Sequence, residues 1–90
     1  MDLRKLRYFS VLAEEKHFGR AAQRLALSQP PLSLAIRQLE EEIGARLFDR
    51  TSRNVSLTAA GVALQREAQV LLRRTEETRA LVKAVADGKE

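Results

Sequence analysis

The chain of 90 residues has no cysteine and no tryptophan, one histidine, two prolines, and only three phenylalanines and a tyrosine for aromatic content. Without cysteine there can be neither a disulfide framework nor a thiolate metal site, which fits a reducing compartment. The lone His17 cannot build a metal site by itself. No apolar run approaches the roughly 20 residues that span a bilayer, and the opening MDLRKLRYF lacks the apolar centre of a secretory signal, so the chain reads as cytoplasmic with no membrane contact. Enzyme chemistry is missing in the same way. There is no nucleophile beside a base in a believable context, no Gly-rich phosphate loop, and no His, Asp and Glu at metal-ligand spacing, so neither a cofactor nor catalysis is expected. Ninety residues make at most one small domain, which buries only roughly 60% of its unfolded surface.

What the chain does have is positive charge. Sixteen Lys and Arg against twelve Asp and Glu leave a formal net charge of +4, and a pI near 10.1 points to a polyanionic partner. Position says more than balance. Arg20, Arg24, Arg37, Arg46, Arg50 and Arg53 gather in the middle of the chain, whereas acids fall at Glu14 and Glu15, at Glu40 to Glu42, and along the last stretch. One face is expected to be basic, with the glutamate triplet as a solvated helix face.

The organising stretch is Phe18 to Leu39, FGRAAQRLALSQPPLSLAIRQL. Phe18, Ala21, Ala22 and Leu25 share one helical face, the paired alanines leave room for a close crossing, and Leu27 is placed to plug the gap to the next helix. Ser28 is an N-cap candidate, and Pro30 and Pro31 fall in a first turn whose N–H groups have no helical partner anyway. Leu32, Ala35, Ile36, Leu39 and Ile43 then form a buried stripe, which turns Gln29, Ser33 and Arg37, with Pro30, Leu34 and Gln38, outward. Two short helices joined by a tight turn are the pattern of a helix-turn-helix, which sets its second helix in the major groove of DNA. The three glutamates at the far end of that helix favour an approach by its N-terminal end.

The run AAQRLALSQPPLSLAIRQLEEEIGARLFDR, with RYF upstream and LTAAG downstream, resembles the N-terminal domain of the LysR-type transcriptional regulators. The resemblance is gapless from Leu3 to about Gly61 and continues loosely down the following helix. It implies a mainly α fold, a winged helix-turn-helix followed by a long linker helix. Residues 1–58 would be the DNA-binding domain, with the helix-turn-helix over 18–37 and the wing over 46–58, and residues 59–87 the linker and dimerisation helix. An effector-binding domain would lie outside these residues, and a small-molecule effector would act only through it. The implied partners are double-stranded operator DNA with a pseudo-palindromic site, and a second copy of the chain, with a tetramer open to the full-length protein. The family's DNA contacts carry over to Gln29, Pro30, Pro31 and Ser33, to Arg37, and to Arg53 in the wing, bordered by Ser28, Leu34, Arg20 and Arg50. Two positions depart from the pattern. Many relatives have Ser or Thr where Gly19 stands, at the expected cap of the first of the two helices, and several have arginine, a guanine reader, where Leu34 offers only apolar contact.

The remaining residues fit around this unit. Asp2 can cap a first helix with Leu3, Leu6, Phe9, Leu12 and Ala13 on its apolar side and Arg4, Lys5 and Arg7 exposed. After Gly44 the period changes: Leu47, Phe48, Val55 and Leu57 flank a polar tip of Thr51 to Asn54, which reads as two short strands anchored by Leu47, Phe48 and Leu57. Arg53 near that tip can reach phosphates or a minor groove, or can be an ordinary exposed loop arginine. Thr58 caps a helix from Ala59 to about Ala86, roughly 40 Å long. Leu64, Ala68, Leu71, Thr75, Thr78, Val82 and Val85 recur along it in steps of four and three, a heptad seam that asks for a partner helix. The family's corresponding helix pairs antiparallel with its copy. In the leading reading Gln29 and Ser33 serve phosphates or base edges, Pro30 and Pro31 press on thymine, and the helix N-terminus holds a phosphate. The competing reading is a winged-helix protein-interaction module whose long helix is the working surface.

Overall fold

The computed structural model describes residues 1–51 and 55–89. Three helices, α1 (Leu3–Glu15), α2 (Phe18–Arg24) and α3 (Gln29–Ile43), are followed by a two-stranded antiparallel ribbon, β1 (Phe48–Arg50) and β2 (Val55–Leu57), and by a long helix α4 (Ala59–Ala86). The ribbon pairs Phe48 with Leu57, Asp49 with Ser56 and Arg50 with Val55. A small wing after a helical trio is the expected mainly α architecture, and it extends over 54 × 26 × 19 Å because α4 projects beyond the rest.

The core lies where α1, α2, α3 and the ribbon meet. Phe9, Leu12, Leu32, Ile36, Leu39, Leu47 and Phe48 are its largest fully buried side chains, with the Phe9 and Phe48 rings 5.3 Å apart and tilted at 48°. Ala21 and Ala22 are buried, and Phe18 and Leu25 pack on the cluster, so α2 uses the face its spacing indicated. Leu27, in the turn to the next helix, is half-buried.

Several expectations are corrected at the margins of this core. Leu3 is exposed, since α1 meets the other helices only from its second turn, and Val11 is buried in addition to the expected residues. Lys5 is not a free surface charge: its Nζ donates to Glu42 Oε1, and the Met1 amino group pairs with the other oxygen. Ile43 is exposed, while Glu40 is buried beside Leu39. The last turns of α3 therefore bury the side facing the wing rather than the side that carries Ile43.

The helix ends show why the sequence breaks where it does. Asp2 accepts from Lys5 N–H at the start of α1. Lys16 follows with φ 54° and Ala26, in the turn between α2 and α3, has φ 56°, both in the left-handed region that L residues occupy at a cost. The N-cap of α2 is His17, not Gly19: its Nδ1 accepts from Arg20 N–H at 3.0 Å. Gly19 is the second residue of α2, where an added Cβ would meet the His17 ring at 2.9 Å, so the imidazole cap and the missing side chain belong together.

Thr58 joins the wing to α4. Its hydroxyl accepts from Gly61 N–H at 3.0 Å and donates to Arg46 O at 2.7 Å, while its own N–H donates to Leu47 O at 3.0 Å. Gly61 is buried against that same backbone.

Candidate nucleic-acid interface

The outward face of α3 starts at Ser28, which takes the N-cap position with extended backbone yet makes no side-chain cap bond. The reason lies in the next residues. An N-cap side chain accepts from the N–H of the second or third helical residue, and these are Pro30 and Pro31, which have none. The expected cap by Ser28 is thus corrected to an exposed hydroxyl without a helical donor. The same prolines halve the set of open N–H groups at the helix start, so the anion site expected of that terminus reduces to the N–H groups of Ser28 and Gln29.

Gln29, Pro30 and Ser33 line a recess of about 370 Å³ together with Phe18 from α2 and Arg50 from β1. Four of the residues singled out from sequence are thereby brought together around one hollow. The Arg50 guanidinium stacks 5.9 Å above the Phe18 ring centre and donates to Glu40 Oε1 at 3.1 Å, so its side chain is held at 29% exposure. Leu34 is 47% exposed, and Pro31 and Arg37 are exposed on the same helix. Arg53 lies outside the described residues.

The expected basic face is narrower than the arginine count suggests. Arg20 is tied to the end of α1, donating from Nε to Glu15 Oε1 at 3.3 Å and from Nη2 to Glu15 O at 3.1 Å. Arg24 pairs with Glu14 and Glu15. What remains between α3 and the wing is Arg37, Arg46 and Arg50, which enclose a second recess of about 440 Å³ with Glu40, Glu41, Gly44 and Ala45.

Glu40 is the residue that reading from sequence missed. It was placed on a solvated face, but it is 8% exposed, and its Oε2 accepts from Leu47 N–H at 2.8 Å and Phe48 N–H at 3.4 Å. One carboxylate thus fixes the root of the wing to α3 and holds Arg50. The signal that could have found it is positional: residue 40 lies four after Ile36 and eight after Leu32, at the edge of the buried stripe, where a charge must have partners. Glu42 is likewise engaged, and the Lys5 ammonium, with the chain's amino group, holds its carboxyl down to about 2.

The α4 seam divides. Ala68 is fully buried, so the expectation that it belongs to a dimer contact is corrected, while Leu64 and Leu72 are half-buried against the domain's own core. Leu71, Val82 and Val85 are 42%, 62% and 56% exposed. Thr75 and Thr78 each donate their hydroxyl to a backbone carbonyl one turn earlier, Leu71 O at 2.8 Å and Arg74 O at 2.7 Å. Covering them would therefore strand no hydroxyl.

A helix pair crossing at a tight turn, a polar-faced second helix, and a ribbon rooted on it define a winged helix-turn-helix domain. The model of the family described as bacterial regulatory helix-turn-helix protein, lysR family, matches residues 3–62, and the chain belongs to that family. It is 49% identical over 88 residues to the uncharacterized HTH-type transcriptional regulator YnfL of Escherichia coli K12, covering 98% of this chain and 30% of YnfL. It is 47% identical over 90 residues to the HTH-type transcriptional regulator AlsR of Bacillus subtilis 168, covering all of this chain and 30% of AlsR. The chain thus spans about a third of the length of these relatives. Among solved structures it resembles the BenM DNA-binding domain in complex with catB site 1 DNA, with TM-score 0.92, 42% identity and 96% of each chain covered. The DNA complex of the CbnR DNA-binding domain matches with TM-score 0.92 and 36% identity, over 96% of this chain and 99% of that one.

Proposed function

We propose that this chain is the operator-reading unit of a transcription regulator and binds duplex DNA as a two-fold dimer, and that it has no catalytic role. The observation that carries the reading is the convergence of Gln29, Pro30, Ser33 and Arg50 on one recess of the exposed face of α3, flanked by the wing. The start of α3 enters the major groove. Gln29 and Ser33 supply hydrogen bonds to base edges or phosphates, Pro30, Pro31 and Leu34 supply apolar surface of the kind that meets a thymine methyl, and the wing, with Arg53, faces the adjacent minor groove. The DNA complexes of the BenM and CbnR domains, which share the fold, support DNA as the partner. One such unit reads too few base pairs to find its site in a genome, and the open half of the α4 seam, Leu71 to Val85, offers the second copy that makes a pseudo-palindromic operator readable.

Selection of bound duplexes from a random pool gives the half-site, and Gln29→Ala and Ser33→Ala are then compared with wild type on it. Each is expected to weaken binding by about 1–3 kcal/mol without changing the unfolding midpoint. Equal affinities for all three proteins would remove α3 from the groove.

A further inference from the structure

If α3 lies in the major groove and the wing faces the neighbouring minor groove, one sugar-phosphate strand must cross between them. Of the two recesses between α3 and the wing, the one richer in guanidiniums is the 440 Å³ recess walled by Arg37 of α3, Arg46 of the connection and Arg50 of β1. Its three guanidiniums are not equally engaged. Arg50 is held by Glu40. Arg46 is 65% exposed, with Nε 3.8 Å from Glu40 and Nη2 at a long 3.5 Å from Phe48 O. That leaves most of its five N–H donors open. Arg37 is exposed and makes no hydrogen bond or ion pair among the described residues. Glu40 at the floor already accepts from two backbone N–H groups and Arg50, so its charge is largely spoken for. Glu41 on the rim is the opposing charge.

We propose that Arg46, with Arg37 across the recess, seats a backbone phosphate of the strand that separates the two grooves, and that Glu40 is the positioning residue that sets Arg46 and Arg50 at its edge. The seat adds affinity and register but no base preference, because a phosphate is the same at every step. It rests on the DNA reading above, and it makes Arg46 a DNA contact distinct from the residues that read bases.

The test is the salt dependence of binding to a fluorescein-labelled duplex of 30 random base pairs, measured for wild type, Arg46→Gln and Arg73→Gln. Arg73 on α4 is 67% exposed, which matches Arg46 for exposure away from the recess. Each neutralised phosphate contributes about 0.9 to the slope of log affinity against log salt. Losing one per protomer, and so two per bound dimer, should therefore make the fall in affinity between 50 and 200 mM salt about 12-fold smaller for Arg46→Gln, and leave Arg73→Gln like wild type. On the selected operator, replacing single phosphates by uncharged methylphosphonates should reveal one position in each half-site that weakens wild type but costs Arg46→Gln nothing more. If wild type binds with a steep salt slope and Arg46→Gln keeps that slope, the seat is wrong and the DNA reading stands. If wild type shows no salt-dependent duplex binding, both fall.

Discussion

Replacing Glu40 by alanine should unfix the wing. Leu47 and Phe48 are 1% and 0% exposed, so the N–H groups that donate to Glu40 at 2.8 and 3.4 Å have no water to turn to once the carboxylate is gone. A buried donor left without an acceptor costs about 1–3 kcal/mol. The shorter bond should cost most of that range, and the longer one less. The Arg50 pair adds under about 1 kcal/mol, because its guanidinium is partly in solvent. Together these amount to roughly 2–4 kcal/mol, a large share of the 5–15 kcal/mol typical of a domain. For a domain of this size the melting point should drop on the order of 10–25 °C.

Glu40→Gln separates the two functions of the side chain. An amide oxygen can still accept from Leu47 N–H, but the amide nitrogen now faces Arg50, so the loss should be about 1 kcal/mol or a little more. Thermal melts and hydrogen exchange at the Leu47 amide measure both variants. In Glu40→Ala the Leu47 amide should exchange much faster, and in Glu40→Gln it should stay protected. A Glu40→Ala protein that melts within a degree or two of wild type, with Leu47 still protected, would show that the wing root is held by apolar packing alone.

Gly61→Ala should destabilise although alanine is the better helix former by about 1 kcal/mol. The added Cβ would lie 2.1 Å from Leu47 O, a backbone atom that cannot swing away, so a net loss of about 2 kcal/mol in urea unfolding is expected, and unchanged stability would refute the close approach. Glu42 gives a pH dependence. Its carboxyl is held from 4.5 down to about 2 by Lys5 first and the amino group second, so its contribution is complete above the ordinary value near 4.5 and is lost as pH falls toward about 2. Melts of wild type should therefore fall more steeply than those of Glu42→Gln across that window, and parallel curves would show the pairing to be absent in solution.

Much of the fold could be read from the chain because local signals agreed. The α4 start follows from Thr58 and the return of a 3.6 period, and the wing from the change to alternation at Leu47 and Phe48. The outward face of α3 was equally open to inspection, since Gln29, Pro30 and Ser33 are simply the residues opposite Leu32 and Ile36. Long-range pairing was not. Nothing local distinguishes Glu40 from Glu41 and Glu42, and only the return of the chain at Leu47 decides which of the three is buried. His17 was hidden for a different reason: histidine is an uncommon cap, and its use depends on Gly19 leaving room for the ring.

The α4 seam shows what a heptad cannot say, namely whether its partner is the same chain or another. Ala68 and Val82 occupy equivalent steps of one repeat, yet Ala68 is fully buried and Val82 is 62% exposed, so the same substitution should have opposite consequences. Ala68→Glu puts a charge with no partner into the packed contact of α4 with α1, at a cost of several kcal/mol that a small domain barely survives. Leu71→Glu with Val82→Glu puts charge on surface that is open in the single chain, so the isolated domain should keep its helix content and melting behaviour while losing only self-association. Circular dichroism and sedimentation then give a two-by-two outcome: an unfolded protein for Ala68→Glu, and a folded monomer for the double variant that binds a half-site but gains nothing from a second. A wild-type domain that sediments as a monomer at high concentration and on its operator would mean that Leu71 to Val85 serves something other than a second copy. An Ala68→Glu protein that folds but fails to associate would mean that the division of the seam has been drawn in the wrong place.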